Sequence, residues 1–401
     1  MDLSYGYPFW LIKTGLPFNY PFLEKDIKTD VLVIGGGISG ALMLYYLANA
    51  GINCVLIDRR TIGLGSTAAS TSLLQYEIDI PLVELTEKIG MQNAITAYRL
   101  CSDAIDKLER IALKSGFRDF ERKQSLYYAA FKKDISFLKK EYAMRKKAGF
   151  DIKLLDESSI KNKFGFTAAA ALLSKQGAQT NAYEFTHALL QYCIKKGSSV
   201  FDRTEAVSIK YSRAGINIRT GKGNTIKATR LINATGYESL EYIDPKFVKL
   251  KSTYAICSEQ MNKKYLASLK EYIIWNTADP YLYMRLTNDN RVLVGGRDED
   301  YYDPKRRDAL LPRKVKQLTK DFKKLFPAIP FIPEFSWAGT FGSTRDGLPF
   351  IGNYGKRKES FFSLGFGGNG ITFSLIAAEM IMEMLQGKKN KQQELFSFNR
   401  I

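Results

Sequence analysis

The stretch VLVIGGGISGALMLYYLANAGINCVLIDRR, Val31 to Arg60, is the starting point. Asp30 to Ile34 reads as a buried strand and Gly35 to Gly40 as a turn. Ala41 to Ala50 reads as a helix stopped by Gly51, and Cys54 to Ile57 as a second strand. The turn matches G-x-G-x-x-G at Gly35, Gly37 and Gly40. Gly35 permits the tight turn, Gly37 lets a pyrophosphate approach the backbone, and Gly40 lets the helix pack against the strand. Ile38 and Ser39 stand at a helix start whose free N–H groups and partial positive charge suit phosphate. Asp58 ends the second strand, followed by Arg59 and Arg60. A carboxylate there accepts hydrogen bonds from an adenosine ribose. Strand, turn, helix, strand and acid together predict a dinucleotide site, and both NAD and FAD fit it.

Three later stretches favour FAD. After the second strand come Ser66, Thr67, Ala68, Ser70, Thr71, Leu73, Leu74 and Gln75. These small and hydroxyl residues let backbone lie close to a flat ring and to phosphate, although a plain loop reads equally well. Ala234, Thr235 and Gly236 end an apolar strand. In SLGFGGNGITFSLIAAEMI, Ser363 to Ile381, glycines precede a long apolar helix and make a second helix N-terminus. A reduced flavin carries negative charge near N1 and the C2 oxygen, which such a terminus stabilises by up to about 2 kcal/mol when partly buried. A reduced nicotinamide is neutral and gains nothing there. Two separated amide-rich pockets are therefore expected to grip opposite ends of one elongated group.

Composition narrows the class. The 401 residues are 45% hydrophobic, enough for a large core and about two domains. No apolar run reaches membrane-spanning length, and the N-terminal stretch lacks the pattern of a signal peptide. Cys54, Cys101, Cys193 and Cys257 lie far apart without metal-ligand spacing, which fits a reduced cytoplasmic protein with no metal site. The net charge of +18 comes from scattered lysine pairs such as Lys132-Lys133, Lys139-Lys140 and Lys146-Lys147. These read as solvated helix faces, and no nucleic-acid module accompanies them. His187 is the sole histidine, so a Ser-His-Asp triad or a multi-histidine metal site would have to be built around it. Its surroundings have helical spacing, and it reads as a structural or surface residue.

Pattern changes along the chain predict an α/β fold with an α+β second domain. From about Pro81 to Lys147 the chain reads as helical and charged. A helix over Tyr183 to Lys196 leads into short strands, and Leu250 to about Phe335 reads as antiparallel strands with an inserted helix. A Rossmann-like FAD-binding domain (1–85, 165–250 and 335–401) is thus interleaved with an antiparallel-sheet substrate domain (86–164 and 251–334). The C-terminal GKKNKQQELFSFNRI reads as a frayed tail. Its charge and two phenylalanines offer weak grounds for contact with an anionic membrane surface.

With these residues in hand, the chain resembles the D-amino-acid oxidase-like family of FAD-dependent oxidoreductases, including glycine, sarcosine and γ-glutamylputrescine oxidases. The resemblance rests on Gly35 to Gly40 with Asp58, on Ala234 to Gly236, on DGLPFIG at Asp346 to Gly352, and on GFGGNGITFS at Gly365 to Ser374. It implies an extended FAD, with Val207 touching adenine through backbone. Gly367, Gly368, Asn369, Gly370, Ile371 and Thr372 would then approach the flavin, with Gly342 and Leu348 nearby. It also implies oxidation of a C–H bond next to nitrogen by hydride transfer to flavin N5. The imine is then hydrolysed, and electrons pass to oxygen or another acceptor.

Two departures from the family pattern stand out. Some relatives tether flavin through a cysteine where this chain has Gly339-Thr340-Phe341, so non-covalent FAD is expected. A substrate-carboxylate arginine of glycine oxidase-like members is matched here by Phe341, which argues against an ordinary α-amino acid. Alternation in PYLYMRLTNDNRVLVGG puts Tyr281, Tyr283 and Arg285 on one strand face. Arg285 there would grip a carboxylate while the tyrosine rings flank an amine cation, unless the three form only a structural ladder. The leading expectation is an FAD-dependent amine or amino-acid oxidase or dehydrogenase with a small-molecule substrate. The alternatives are a hydroxy-acid dehydrogenase delivering electrons to a quinone, and a non-catalytic flavin-binding sensor.

Overall fold

A computed structural model describes residues 1–355 and 357–400. Ile27–Ile34 lies inside an eight-stranded sheet, parallel to Cys54–Ile57 on one side and to Thr225–Asn233 on the other. Ser199–Phe201 and Ser360–Leu364 add further parallel pairings, while Ala206–Ser212, Gly215–Thr220 and Phe350–Asn353 pair antiparallel. Successive side chains of the central strands point to opposite faces. Val31, Val33 and Leu56 pack with the helices Ile38–Asn49, Met91–Ser115, Ala182–Lys195 and Gly370–Leu385. Leu32, Ile34, Val55 and Ile57 pack with Ile216, Ile218 and Ile226 on the other face. Burial on both faces is why these strands read as unbroken apolar runs.

The second sheet has nine strands, in the spatial order Ser4–Gly6, Pro333–Ser343, Lys249–Ser258, Val292–Glu299, Tyr283–Leu286, Tyr272–Asn276, Gln124–Tyr128, Ala170–Ser174, Ile152–Asp156. All its pairings are antiparallel except that of Tyr272–Asn276 with Gln124–Tyr128. The helix Pro304–Leu325 covers one face with Leu311, Leu318 and Phe322. The sheets do not divide at residues 165 and 335. Ser4–Gly6, Ala170–Ser174 and most of Pro333–Ser343, from residue 335 on, fall in segments read as FAD-binding, yet they pair into the nine-stranded sheet.

Local readings differ in instructive places. The helix after the glycine turn begins at Ile38, three residues before the expected Ala41, where Thr67 Oγ1 accepts from the Ile38 amide at 3.0 Å and caps it from a distant segment. The stretch Pro81 to Lys147 is not wholly helical. Phe120–Arg122 and Gln124–Tyr128 are strands, drawn into sheets by partners far away in sequence. The C-terminal tail is not frayed: Phe396 and Phe398 are buried, and Arg400 Nε donates to Asp346 Oδ2 at 2.8 Å. Both phenylalanines are therefore withdrawn from any membrane surface. His187 is fully buried, with its ring beside Tyr20 and Tyr183. Among the described residues, no helix is long and apolar enough to cross a membrane, and no cluster of metal ligands forms.

Candidate active site

The helices Ile38–Asn49 and Gly370–Leu385 both start on one cavity of about 650 Å³, within the roughly 300–1,000 Å³ typical of ligand pockets. The two starts are adjacent: Ser39 Oγ and Ser374 Oγ are 2.6 Å apart. The expectation of two separated amide-rich pockets is corrected accordingly, because the helices pack against each other along one side of the sheet. The glycine turn is as tight as the motif demands. A Cβ at Gly40 would lie 1.8 Å from the Gly35 carbonyl oxygen, and one at Gly37 would lie 2.8 Å from Thr67 Oγ1. Gly35, Gly37, Ile38 and Ser39 line the cavity, whereas Gly40 serves the packing behind it.

One end is polar and partly open. Asp58 lines it, with Oδ2 accepting from the Gly36 amide at 2.6 Å and Oδ1 from the Arg60 amide at 2.7 Å. Burial pushes the carboxyl's pKa up, and those two amides and the Arg60 charge oppose the shift. Arg59 and Arg60 line the same end and both reach Glu238, Arg60 Nη1 at 2.9 Å from Glu238 Oε2. Despite its burial, Glu238 keeps a pKa below the usual carboxylate value through Arg60, the N-terminal amine and Arg59. Val207 is 55% exposed at the rim, and Ala234, Thr235 and Gly236 continue the wall.

Along the middle run Ser66, Thr67, Ser70, Thr71, Leu73 and Gln75, while Ala68 and Leu74 turn into the core. Three side chains from elsewhere hold this loop by its carbonyls. Trp337 Nε1 donates to Ala69 O at 2.8 Å, Trp10 Nε1 to Ser70 O at 2.6 Å, and Arg285 Nη1 to Ser72 O at 3.0 Å. Ser72 sits in the left-handed region at φ 56°, so the clamp fixes a bend that costs energy.

Arg285 is therefore not where a substrate would meet it. It is 3% exposed, stands 4.8 Å over the Trp10 ring and is absent from the cavity wall. Burial lowers its pKa to about 10. Tyr281 and Tyr283 do line the cavity, their ring centroids 5.7 Å apart. Gly367, Gly368, Gly370 and Ile371 also line the cavity. Asn369, at the N-cap position, instead ties the helix start to the neighbouring strand, its Nδ2 donating to Gln75 O at 3.1 Å and Glu77 O at 2.8 Å. Thr372 bonds Asn369 O, Gly342 O accepts from the Gly367 amide, and Leu348 is wholly buried. These four support the wall without forming it.

The sequence reading missed Asp298, Asp79, Thr253, Trp337 and Glu238. Asp298 lines the tyrosine-bearing end, and burial pushes its pKa up to about 7. Its Oδ1 is buried with no hydrogen-bond partner. Asp79 Oδ2 accepts from the Gly368 amide at 2.7 Å, and the Tyr281 hydroxyl donates to its Oδ1 at 3.4 Å. A carboxylate ending an apolar strand, as at Asp58, was the one signal that pointed to Asp298.

Comparison with known proteins agrees with this architecture. The chain is 25% identical over 382 residues to the gamma-glutamylputrescine oxidoreductase of Escherichia coli (strain K12), covering 91% of this chain and 85% of that protein. The crystal structure of L-proline dehydrogenase from P. horikoshii superposes with a TM-score of 0.78 at 20% identity, over 93% of this chain and 97% of that one. That of glycine oxidase from Geobacillus kaustophilus gives 0.78 at 19% identity, over 93% and 99%. The family model for DAO, FAD dependent oxidoreductase, matches residues 30–384, and the chain belongs to that family of FAD-dependent enzymes.

Proposed function

We propose that the chain oxidises a C–N bond of an amine or amino acid, with hydride transfer to flavin N5 and hydrolysis of the resulting imine. The observation that carries this reading is the single cavity that runs from the Asp58 end, past both helix N-termini, to a compartment walled by Tyr281 and Tyr283. First-turn amides of Ile38–Asn49, with Ser39 and Thr67, suit the pyrophosphate of FAD. Asp58 and the Val207 backbone suit the adenosine half, and Gly367 to Ile371 suit the ring system. Bound there, FAD supplies the two-electron acceptor chemistry that no side chain of the chain can supply.

The chain's own task is then to orient the substrate, exclude water and hold or take a proton. The tyrosines are suited to orientation, since burial keeps both hydroxyls protonated far above neutral pH. We infer non-covalent binding, because none of the cysteines and no histidine is among the cavity-lining residues described. The test is anaerobic bleaching of the purified yellow protein by a panel of primary amines, secondary amines, α-amino acids and hydroxy acids. Bleaching by nitrogen compounds is expected. Bleaching by hydroxy acids alone would replace this reading with the quinone-linked dehydrogenase, and bleaching by nothing would favour the sensor.

A further inference from the structure

The tyrosine-bearing end of the cavity is lined by one acid, Asp298, and by no base among the described residues, with Asp79 behind Tyr281 and Gly368 outside the lining. Among the described residues lining the whole cavity, Arg59 and Arg60 are the only cations, and both are tied to Glu238 at the opposite end. The basic side chains nearest Asp298 are engaged elsewhere. Lys314 Nζ lies 2.6 Å from Glu299 Oε1 and 2.6 Å from Arg297 O, and Lys251 Nζ lies 3.3 Å from Asp300 Oδ1. Arg285 is turned onto Trp10 and Ser72. Among the described residues, neither Asp298 nor Asp79 makes a salt bridge. A substrate carboxylate brought to this end would meet the Asp298 carboxylate and no cationic partner, a repulsive placement.

A backbone irregularity creates this arrangement. In Val292–Glu299, Val292 and Val294 face the helix Pro304–Leu325, while Leu293 faces the Trp337 side, where the cavity lies. Plain alternation would send Asp298 toward the helix and Arg297 toward the cavity. The register against Lys249–Ser258 shifts between Ser252 and Tyr254, with Gly296 at φ 132° and Arg297 at φ 59°. The bulge exchanges the two: Arg297 reaches Asp321 of the helix through Nε at 2.7 Å and Nη2 at 2.6 Å, and Asp298 lines the cavity. The Asp298 Oδ1 atom is left buried and without a partner beside Tyr281, Tyr283 and Thr253.

Resting on the amine-oxidation reading above, we infer that the substrate is a cationic amine with no carboxylate on the carbon to be oxidised, and that Asp298, the acid lining this end, receives its ammonium group. Asp298 Oδ1 is the atom that wants a donor, and the tyrosine rings provide apolar, electron-rich faces for a cation. Asp298 also has the proton bookkeeping that amine oxidation needs. As the ammonium N–H bond breaks, an O–H bond forms on the carboxylate, leaving a neutral amine whose lone pair assists loss of hydride from the adjacent carbon. Asp298 would thus act as a substrate-binding acid and proton acceptor.

The experiment uses the flavin-loaded protein and matched pairs: lysine against cadaverine, phenylalanine against phenethylamine, and leucine against isoamylamine. It adds tert-butylammonium, which has no hydrogen on the carbon bearing nitrogen and so reports binding without turnover. Within each pair that bleaches the flavin anaerobically, the decarboxylated amine is expected to do so at least tenfold faster. Titration with tert-butylammonium should perturb the flavin absorbance saturably, and Asp298→Asn should raise that Kd at least tenfold while flavin content and Tm hold. Asp298→Glu should recover part of the affinity. Faster bleaching by the amino acids, or tert-butylammonium binding that is absent or equal in Asp298→Asn, overturns the inference and leaves amine oxidation standing. Bleaching by hydroxy acids alone overturns the amine reading itself.

Discussion

Ser39 and Ser374 are 335 positions apart, and their hydroxyl oxygens meet at 2.6 Å. The contact joins the first turn of Ile38–Asn49 to the start of the second turn of Gly370–Leu385, and both helices open on the cavity. Ser374 Oγ also lies within hydrogen-bond reach of Gly370 O, so the hydroxyl pair sits between the two N-termini. Positive ends of two helix dipoles are thus held side by side, an arrangement that repels itself until an anion is bound.

Removing that link should loosen both termini together. Ser39→Ala and Ser374→Ala are each expected to cost about 1 kcal/mol of unfolding free energy, and the double variant less than their sum, as for one shared hydrogen bond. Urea unfolding of the four proteins of the cycle measures the coupling. Additive losses would show that the two hydroxyls do not act on each other.

Arg285 should behave as a wall support. Arg285→Leu removes the charged one of two donors to the Ser72 carbonyl, the Thr180 amide remaining at 3.2 Å, and should cost about 1–2 kcal/mol of stability. Because that carbonyl belongs to the loop lining the cavity, affinity for FAD should fall as well. At saturating FAD the KM for a substrate should stay within about twofold, since the guanidinium does not reach the cavity. A large rise in KM with normal FAD affinity would restore the carboxylate-gripping role.

His187 makes the protein acid-sensitive in a defined window. Burial lowers its pKa from 6.5 to about 4. The unfolded chain therefore takes up a proton at higher pH than the folded one. The stabilisation is present above pH 6.5 and is lost as pH falls toward 4, amounting to about 3 kcal/mol for a shift of this size. As the sole histidine, its imidazole resonance is unambiguous, and an NMR titration midpoint near 4 is expected. A midpoint near 6.5 would place the ring in water.

Acid precipitation should separate the yellow colour from the polypeptide. All four cysteines are buried and none lines the cavity, so no thiol is placed to bond a flavin. Flavin absorbance is expected in the supernatant after trichloroacetic acid treatment. Colour retained in the washed pellet would require a covalent link through another side chain.

Much of the cofactor end was legible in the residues because its determinants are local. Gly35, Gly37, Gly40 and Asp58 act through backbone shape and a strand end, features that a single βαβ unit carries within itself. The loop after it was legible as small and polar, yet its conformation was not: the Trp10, Trp337 and Arg285 donors that fix it come from three distant segments. Likewise Phe396 and Phe398 read as part of a tail because nothing nearby in sequence announces the core they complete.

The amino-acid order alone determined the dinucleotide fold, the two glycine-rich helix starts and the tyrosine strand, since turn geometry and side-chain periodicity are properties of contiguous residues. Tertiary structure alone decided that the two helix starts are neighbours, that Arg285 faces inward and Asp298 faces the cavity. Those outcomes depend on packing between remote segments and on one bulge, which reverses the direction of every side chain beyond it in the strand.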